Sequence, residues 1–416
     1  MVSRTMGGIS AGFVDSSGSY PYIVTPGGRL LVSSSSVNLS NPASLGNVYT
    51  TLFDVGGEID VRTIKSNSTP EKYTATNTIF SYLQLAFPIT PKRMLAKGNH
   101  WTIAFGLRPV TRVNYKIITD KRLLGIDSIT TLYEGNGGLS RANLSTGIKI
   151  KNFSFGASTG YNFGNRETST KIAFNNDSVK YMQSNTESRA QYGGVFLNLG
   201  AQYGIRLKGN SMLRIGATAN LEQTLKAKRD KVNETFIYDA DGVIRGIDTV
   251  TFSRDESGNI KLPASYTLGF TITNTHWVFG ADVNYTSWSD YRYFGAPDAV
   301  QNNTTLHVGA QYFPADVNTP TKNKYWNFVK YRAGVYYGND YVKLKTNRPD
   351  FGITLGAGLP LTSFQRLRFG EFVALNTGVE IGQLGNKQNL GIRETKFRFN
   401  FGVAMTASWF QKRKYD

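Results

Sequence analysis

Residues 395–409 read TKFRFNFGVAMTASW. Every second side chain is apolar: Phe397, Phe399, Phe401, Val403, Met405, Ala407 and Trp409. The positions between them, Lys396, Arg398, Asn400, Gly402, Ala404, Thr406 and Ser408, are charged, polar or small. A period of two is that of an extended strand with two unlike faces. Strands of soluble sheets average about 5–6 residues, whereas roughly 9–11 tilted residues cross a hydrocarbon core. This run is long enough to cross and project beyond it. It reads as a transmembrane barrel strand with Phe and Trp toward lipid and Lys, Arg and Asn toward a wet lumen.

Other stretches repeat the pattern. Phe153, Phe155, Ala157, Thr159 and Tyr161 alternate with Ser154, Gly156, Ser158 and Gly160. Trp277, Phe279, Ala281, Val283 and Tyr285 alternate with Val278, Gly280, Asp282 and Asn284. Leu213, Ile215, Ala217, Ala219 and Leu221 alternate with Arg214, Gly216, Thr218 and Asn220, and Val329, Tyr331, Ala333, Val335 and Tyr337 with Lys330, Arg332, Gly334 and Tyr336.

The composition agrees. Only 40% of the 416 residues are hydrophobic and mean hydropathy is −0.30. No run of about eighteen apolar residues offers a membrane helix, but a barrel needs apolar residues on only half of each strand. Aromatics at 13% and 43 glycines suit interfacial girdles and small lumen residues. Cysteine is absent, which excludes disulfides and thiol chemistry. The net charge of +18 is spread over lumen faces and loops, which argues against nucleic acid and for anionic headgroups or an acidic partner. The opening MVSRTMGG has no apolar signal core. A bacterial outer-membrane location therefore implies a mature or shortened start.

Residues 1–48 are rich in Gly, Ser, Pro and Asn and lack sustained alternation, which sets an N-terminal plug segment (1–48) apart from a barrel (49–416). Fourteen candidate strands follow, an even number as a single-chain bacterial barrel requires. Short turns, such as Lys208-Gly209-Asn210-Ser211, alternate with long polar connections over 116–137, 165–189, 228–260 and 384–390, expected as extracellular loops. The expected fold is thus an all-β, 14-stranded antiparallel transmembrane β-barrel with a plug in its lumen.

Several segments, in order, carry a family resemblance: Arg4-Thr5-Met6-Gly7-Gly8, Asn41-Pro42-Ala43-Ser44, Gly135-Asn136-Gly137-Gly138-Leu139-Ser140-Arg141, Lys261-Leu262-Pro263 with Gly269, Asp282-Val283-Asn284-Tyr285 with Trp288, Gly352-Ile353-Thr354-Leu355-Gly356 with Pro360, and the ending Trp409-Phe410-Gln411-Lys412-Arg413-Lys414. The chain resembles the FadL-like (long-chain fatty-acid transporter, OmpP1, TodX) outer-membrane barrels in their Bacteroidetes-type form. It departs from them by an insert over 21–36, PYIVTPGGRLLVSSSS. The resemblance implies a hydrophobic ligand bound near the plug and released sideways through a gap made by a kinked third strand.

That strand reads HWTIAFGLRPVTRVNY over 100–115. Proline lacks the N–H a ladder needs, and glycine beside it permits a bulge. Gly106 and Pro109 therefore mark either a lateral portal or a bulge that only shapes the barrel. Met6, Gly7, Gly8, Ile9, Phe13 and Val14 either line and gate an apolar pocket or merely fill the lumen. The lumen charges Arg214, Glu222, Asp282, Lys330, Arg332, Glu380, Lys396 and Arg398 either hold a ligand carboxylate or pair with one another. Tyr285, Trp288, Tyr291, Tyr293 and Phe294 read as an interfacial girdle. His100, His276 and His307 have no metal-ligand spacing, no motif nominates a catalytic serine, and Gly135-Asn136-Gly137-Gly138 lacks the lysine of a phosphate loop. The expected protein is not an enzyme and takes no metal or cofactor. It is a passive channel for fatty-acid-like molecules among outer-membrane lipids, or alternatively a non-transporting barrel subunit of a larger outer-membrane assembly or secretion complex. The insert and the basic tail would then be partner surfaces.

Overall fold

The computed structural model describes residues 1–16, 22–24, 30–66, 72–124, 127–176, 179, 181–209, 211–239, 244–315, 324–343, 348–362, 372–385 and 392–407. Fourteen wall strands follow one another around a closed antiparallel sheet. They are β1 (Thr51–Ser66), β2 (Lys72–Pro88), β3 (His100–Arg122), β4 (Ser128–Ile150), β5 (Phe153–Phe174), β6 (Gln183–Arg206), β7, β8, β9 (Trp277–Thr286), β10 (Asn303–Tyr312), β11 (Lys330–Asn339), β12 (Pro349–Pro360), β13 (Phe372–Leu384) and β14 (Ile392–Ala407). Strand β7 has two parts, Met212–Asn220 and Gln223–Tyr238. Strand β8 has Ile244–Leu262 and Ser265–Thr273, interrupted at Pro263, which has no N–H to give. The barrel closes where β14 pairs with β1, from Ile392–Ser66 to Ala407–Thr51.

Alternation is realised as expected. On β14, Phe397, Phe399 and Phe401 are exposed while Asn400 and Ala404 are buried. On β9, Phe279 and Val283 face out and Asp282 faces in. Ser408, Trp409, the tail 410–416, residues 386–390 and, within the insert, residues 21 and 25–29 lie outside the described residues. Within the insert, Tyr22–Val24 pairs with Leu30–Val32 as a small hairpin.

The expected loops over 116–137, 165–189 and 228–260 prove to be mostly strand. Strands β3, β4, β5 and β6 run for 23, 23, 22 and 24 residues, against 10 each for β9, β10 and β11. Connections shrink to about 123–127, 175–182 and 239–243. Polar residues on both faces hide the strand signal there, because hydrocarbon no longer imposes an apolar outer face. The wall formed by β3–β6 therefore rises well past what a bilayer needs, while β9–β11 have about the length that crosses its core. Gly135-Asn136-Gly137-Gly138 lies inside β4, not in a loop.

Candidate functional site

The N-terminal residues lie along the inner face of the wall, and a row of inward glycines receives them. Carbon atoms added to Gly378 and Gly356 would press on the Thr5 side chain, and one on Gly334 would fall on the backbone of Gly7. Gly309 faces the Met6 carbonyl and Gly280 the Ile9 side chain. The row continues under a second stretch: Gly216 meets Ala11, Gly200 meets Asn41, Gly156 meets Pro42 and Gly147 meets Leu45. Gly7 itself has φ +70° and sits against the Val308 and Val335 carbonyls, a position that needs both the left-handed backbone and the missing side chain.

Polar contacts fix the same path. Asp282 accepts from the N–H groups of Ser10 (2.5 Å) and Ala11 (2.7 Å). His307 Nδ1 lies 2.6 Å from the Gly7 carbonyl, Thr354 Oγ1 accepts from Gly7 N–H at 2.9 Å, and Gln202 donates to the Ala11 carbonyl at 2.8 Å. Asp15 is the main anchor. It accepts from Lys330 Nζ (2.8 Å), Ser35 Oγ (2.5 Å) and Gln311 Nε2 (3.2 Å), with Arg332 at 3.5 Å. Burial pushes its carboxyl up, but Lys330 and Arg332 with these hydrogen bonds hold it well below the usual carboxylate range. A depressed folded pKa adds stability that is present above the unfolded value, about 3.9, and is lost as pH falls toward the folded one. The thermal midpoint in detergent is expected to fall once pH drops below about 4. An Asp15→Asn protein showing the same drop would remove Asp15 as its cause.

The wall is incomplete at one place. Strands β2 and β3 pair only from Leu83–Leu107 to Pro88–Thr102, although β2 stays paired to β1 as far as Lys72 and β3 to β4 as far as Arg122. Both strands bulge where the ladder stops. Ser81 is the extra residue on β2, between the pairs Gly56–Tyr82 and Gly57–Phe80, and Val110 is the extra residue on β3, between Pro109–Ser140 and Thr111–Leu139. Above, side chains bridge the strands again: Arg112 donates to the Thr78 carbonyl (3.4 Å) and Asn114 to Asn77 (2.8 Å). The result is a window framed by Phe80, Ser81 and Tyr82 on one side and Arg108, Pro109 and Val110 on the other.

Behind it lies a cavity of about 300 Å³ whose lining includes Arg4, Gly8, Phe13, Leu39, Tyr82, Arg108, Pro109 and Asn400. Tyr82 donates to Asp54 (2.9 Å) and Arg4 pairs with Glu58. The Arg108 guanidinium has no hydrogen-bond or ion-pair partner among the described residues.

A family model described as BamG matches residues 22–416. The chain belongs to the BamG family. The match takes in residues 22–36, nearly all of the stretch expected from the sequence to be an insert. No curated protein matches. Among solved structures, the CymD monoaromatic hydrocarbon channel aligns with a TM-score of 0.55 at 14% identity over 99% of this chain and 98% of that one. The Pseudomonas putida toluene transporter TodX aligns at 0.53 and 16%, over 98% and 97%. A Pseudomonas aeruginosa FadL homologue aligns at 0.54 and 15%, over 97% and 98%. At these identities the likeness establishes the fold, a closed fourteen-stranded barrel.

Of the residues singled out from the sequence, Gly8, Phe13 and Pro109 line this BamG-family cavity. Gly106 lies just beneath, under Leu39. Met6, Gly7 and Ile9 are placed elsewhere, sealed against β9–β12, and Met6 and Ile9 are fully buried. Most lumen charges have partners: Arg398 with Glu380 (3.1 Å), Lys396 with Asp350 (2.9 Å) and Lys261 with Glu222 (2.9 Å), besides those of Asp282, Lys330 and Arg332 above. Tyr285 is exposed on the outer face. Tyr291, Tyr293 and Phe294 instead pack on Leu139, Leu225, Ala227 and Ile260 inside the tall wall, with Arg229 4.0 Å above the Phe294 ring. Phe294 has φ +51° and Gly295 φ +79°, a reversal that the alternating pattern does not reveal. Tyr82 and Arg108 carried no signal beyond their nearness to Gly106 and Pro109.

Proposed function

We propose that this barrel is a Bacteroidetes-type outer-membrane channel for passive uptake of hydrophobic small molecules, with residues 1–48 as its plug, the cavity behind the window as its binding pocket and the window as its lateral exit. The observation that carries this reading is the loss of β2–β3 pairing above Leu83–Leu107. An unpaired backbone group in lipid costs several kcal/mol. The break begins within the roughly 9–11 residues that span hydrocarbon, counted from the short-turn end at Pro88 and His100. The exposed Phe80 and Val110 give the window an apolar sill toward lipid. Arg108 supplies one fixed positive charge, which suits an amphipathic molecule with an anionic end.

Deleting Val110 together with Pro109→Ala removes the bulge and restores the missing N–H. Uptake of a long-chain fatty acid into proteoliposomes is expected to fall roughly tenfold or more, while the barrel keeps its heat-modifiable migration. Uptake at the native rate would defeat the lateral route. Arg108→Leu is expected to weaken binding of a fatty acid by roughly tenfold and to leave a neutral hydrocarbon unaffected.

A second reading, a subunit of a larger outer-membrane assembly, is favoured by one feature. The lipid face carries a depression of about 400 Å³ floored by Ala281, Ala310 and Ala333 and flanked by Phe279, Val308 and Val335. Small residues there admit close approach of another apolar surface. Intact-mass measurement of the particle extracted in mild detergent separates the readings: a lone barrel carrying lipid-sized mass supports transport, and several different chains support the subunit.

A further inference from the structure

A second cavity, of about 460 Å³, opens at the opposite side of the N-terminal segment, among the short turns. Its lining includes Lys97, Lys149, Lys151, Arg206 and Arg214 and contains no carboxylate. Three neighbouring connections build it: Lys97 follows the short helix Lys92–Ala96 before β3, Lys149 and Lys151 stand at the end of β4 and in the β4–β5 turn, and Arg206 ends β6, with Arg214 just inside β7. Like charges converging on one concavity repel, and such a cluster is stable only if water or an anion compensates it.

Two of the five are fixed in place. Lys149 Nζ donates to Asn47 Oδ1 (2.8 Å) and to the Tyr49 hydroxyl (2.9 Å), both neutral. Arg214 is only 6% exposed, and among the described residues its single polar contact is the Met212 sulfur at 3.3 Å. A guanidinium so buried normally faces a carboxylate, because an uncompensated buried charge is costly. Arg332 with Asp15 and Arg398 with Glu380 keep that rule, and the equally buried Arg141 at least meets the amide oxygens of Asn162 and Gln223. Arg214 meets neither kind of partner among the described residues.

We propose that this pocket is an anion site for a phosphate-bearing ligand, with Arg214 at its base and Lys149 beside it. A guanidinium presents a planar fork of donors that matches two oxygens of a phosphate, and ammonium groups approach the remaining oxygens as point charges. A single carboxylate would leave most of the five cations uncompensated, whereas a doubly charged tetrahedral group meets several at once. The short turns of a single-chain bacterial barrel face the periplasm, so the ligand arrives from that side. Its source is either a soluble phosphorylated molecule or the headgroup of a lipid in the adjoining leaflet.

Two measurements on the full-length barrel test this. Calorimetric titration with inorganic pyrophosphate in neutral detergent at low salt is expected to show one saturable site. Arg214→Gln and Lys149→Gln are each expected to weaken it by roughly tenfold. Native mass spectrometry from nanodiscs containing phosphatidic acid then separates the sources. A retained lipid that pyrophosphate displaces, and that Arg214→Gln loses, identifies a headgroup. Pyrophosphate binding with no retained lipid identifies a soluble ligand. If pyrophosphate does not bind, or binds both folded variants as it binds the native protein, the site does not exist. A variant that fails to migrate as a folded barrel is replaced by Arg214→Lys, which keeps the charge but loses the fork and is expected to bind at intermediate strength.

Discussion

Replacing Gly334 by valine is expected to drive the N-terminal segment off the barrel wall. A side-chain carbon at this position would land on the backbone nitrogen of Gly7. Neither partner can yield: β11 is held on both edges, at Gly309–Gly334 and Gly334–Thr354, and Gly7 is wedged between the Val308 and Val335 carbonyls. Overpacking of a core by a few carbons costs about 1–3 kcal/mol when side chains can shift, and a clash of backbone with backbone lies at or beyond that upper end. The variant should fold as a barrel, expose residues 1–15 to protease and show increased ion conductance in a planar bilayer. Val335→Ala, a change on the outward face of the same strand, should do neither. Protection of residues 1–15 in the Gly334→Val protein would mean that the segment is not seated by the glycine row.

The second large effect is expected from Asp15→Asn. Lys330 and Arg332 would remain buried, at 8% and 1% side-chain exposure, with no carboxylate beside them. Removing one partner of a buried ionic cluster typically costs about 3–5 kcal/mol, whereas replacing the whole cluster by apolar groups is often neutral. The double variant Asp15→Asn/Lys330→Met is therefore expected to recover a good part of the denaturant stability that Asp15→Asn loses. Equal midpoints for the native and Asp15→Asn proteins would show that solvent already compensates these cations.

What the sequence discloses here follows where lipid constrains it. Strands such as β9 and β14 alternate cleanly because hydrocarbon demands an apolar outer face, and they were legible. The upper halves of β3–β8 stand outside that constraint, so their polar alternation resembled loops. The kink at Gly106 and Pro109 was legible because proline has a fixed chemical meaning in a ladder. Its counterpart at Ser81 was not, since serine in a bulge looks like serine in a strand. The glycine row was visible only as abundance. Each member, such as Gly216 or Gly334, acquires its meaning from neighbours across the sheet, and register between strands cannot be read from one strand alone. The same holds for Arg214, whose lack of a partner is a property of the assembled lumen.

The seating of the N-terminal segment has a consequence for how the cylinder forms. Residues 5–9 rest on β9–β13 and residues 41–45 on β4–β6, strands lying on opposite arcs of the circumference. An unrolled sheet can offer one arc or the other, but both come within reach together only after the two edges have met. Whatever engages one form of a chain and not another shifts the balance toward that form. The segment therefore acts as a molecular hoop worn on the inside: it favours the joined seam between β14 and β1, and a barrel deprived of it should spring open there more readily than the intact one.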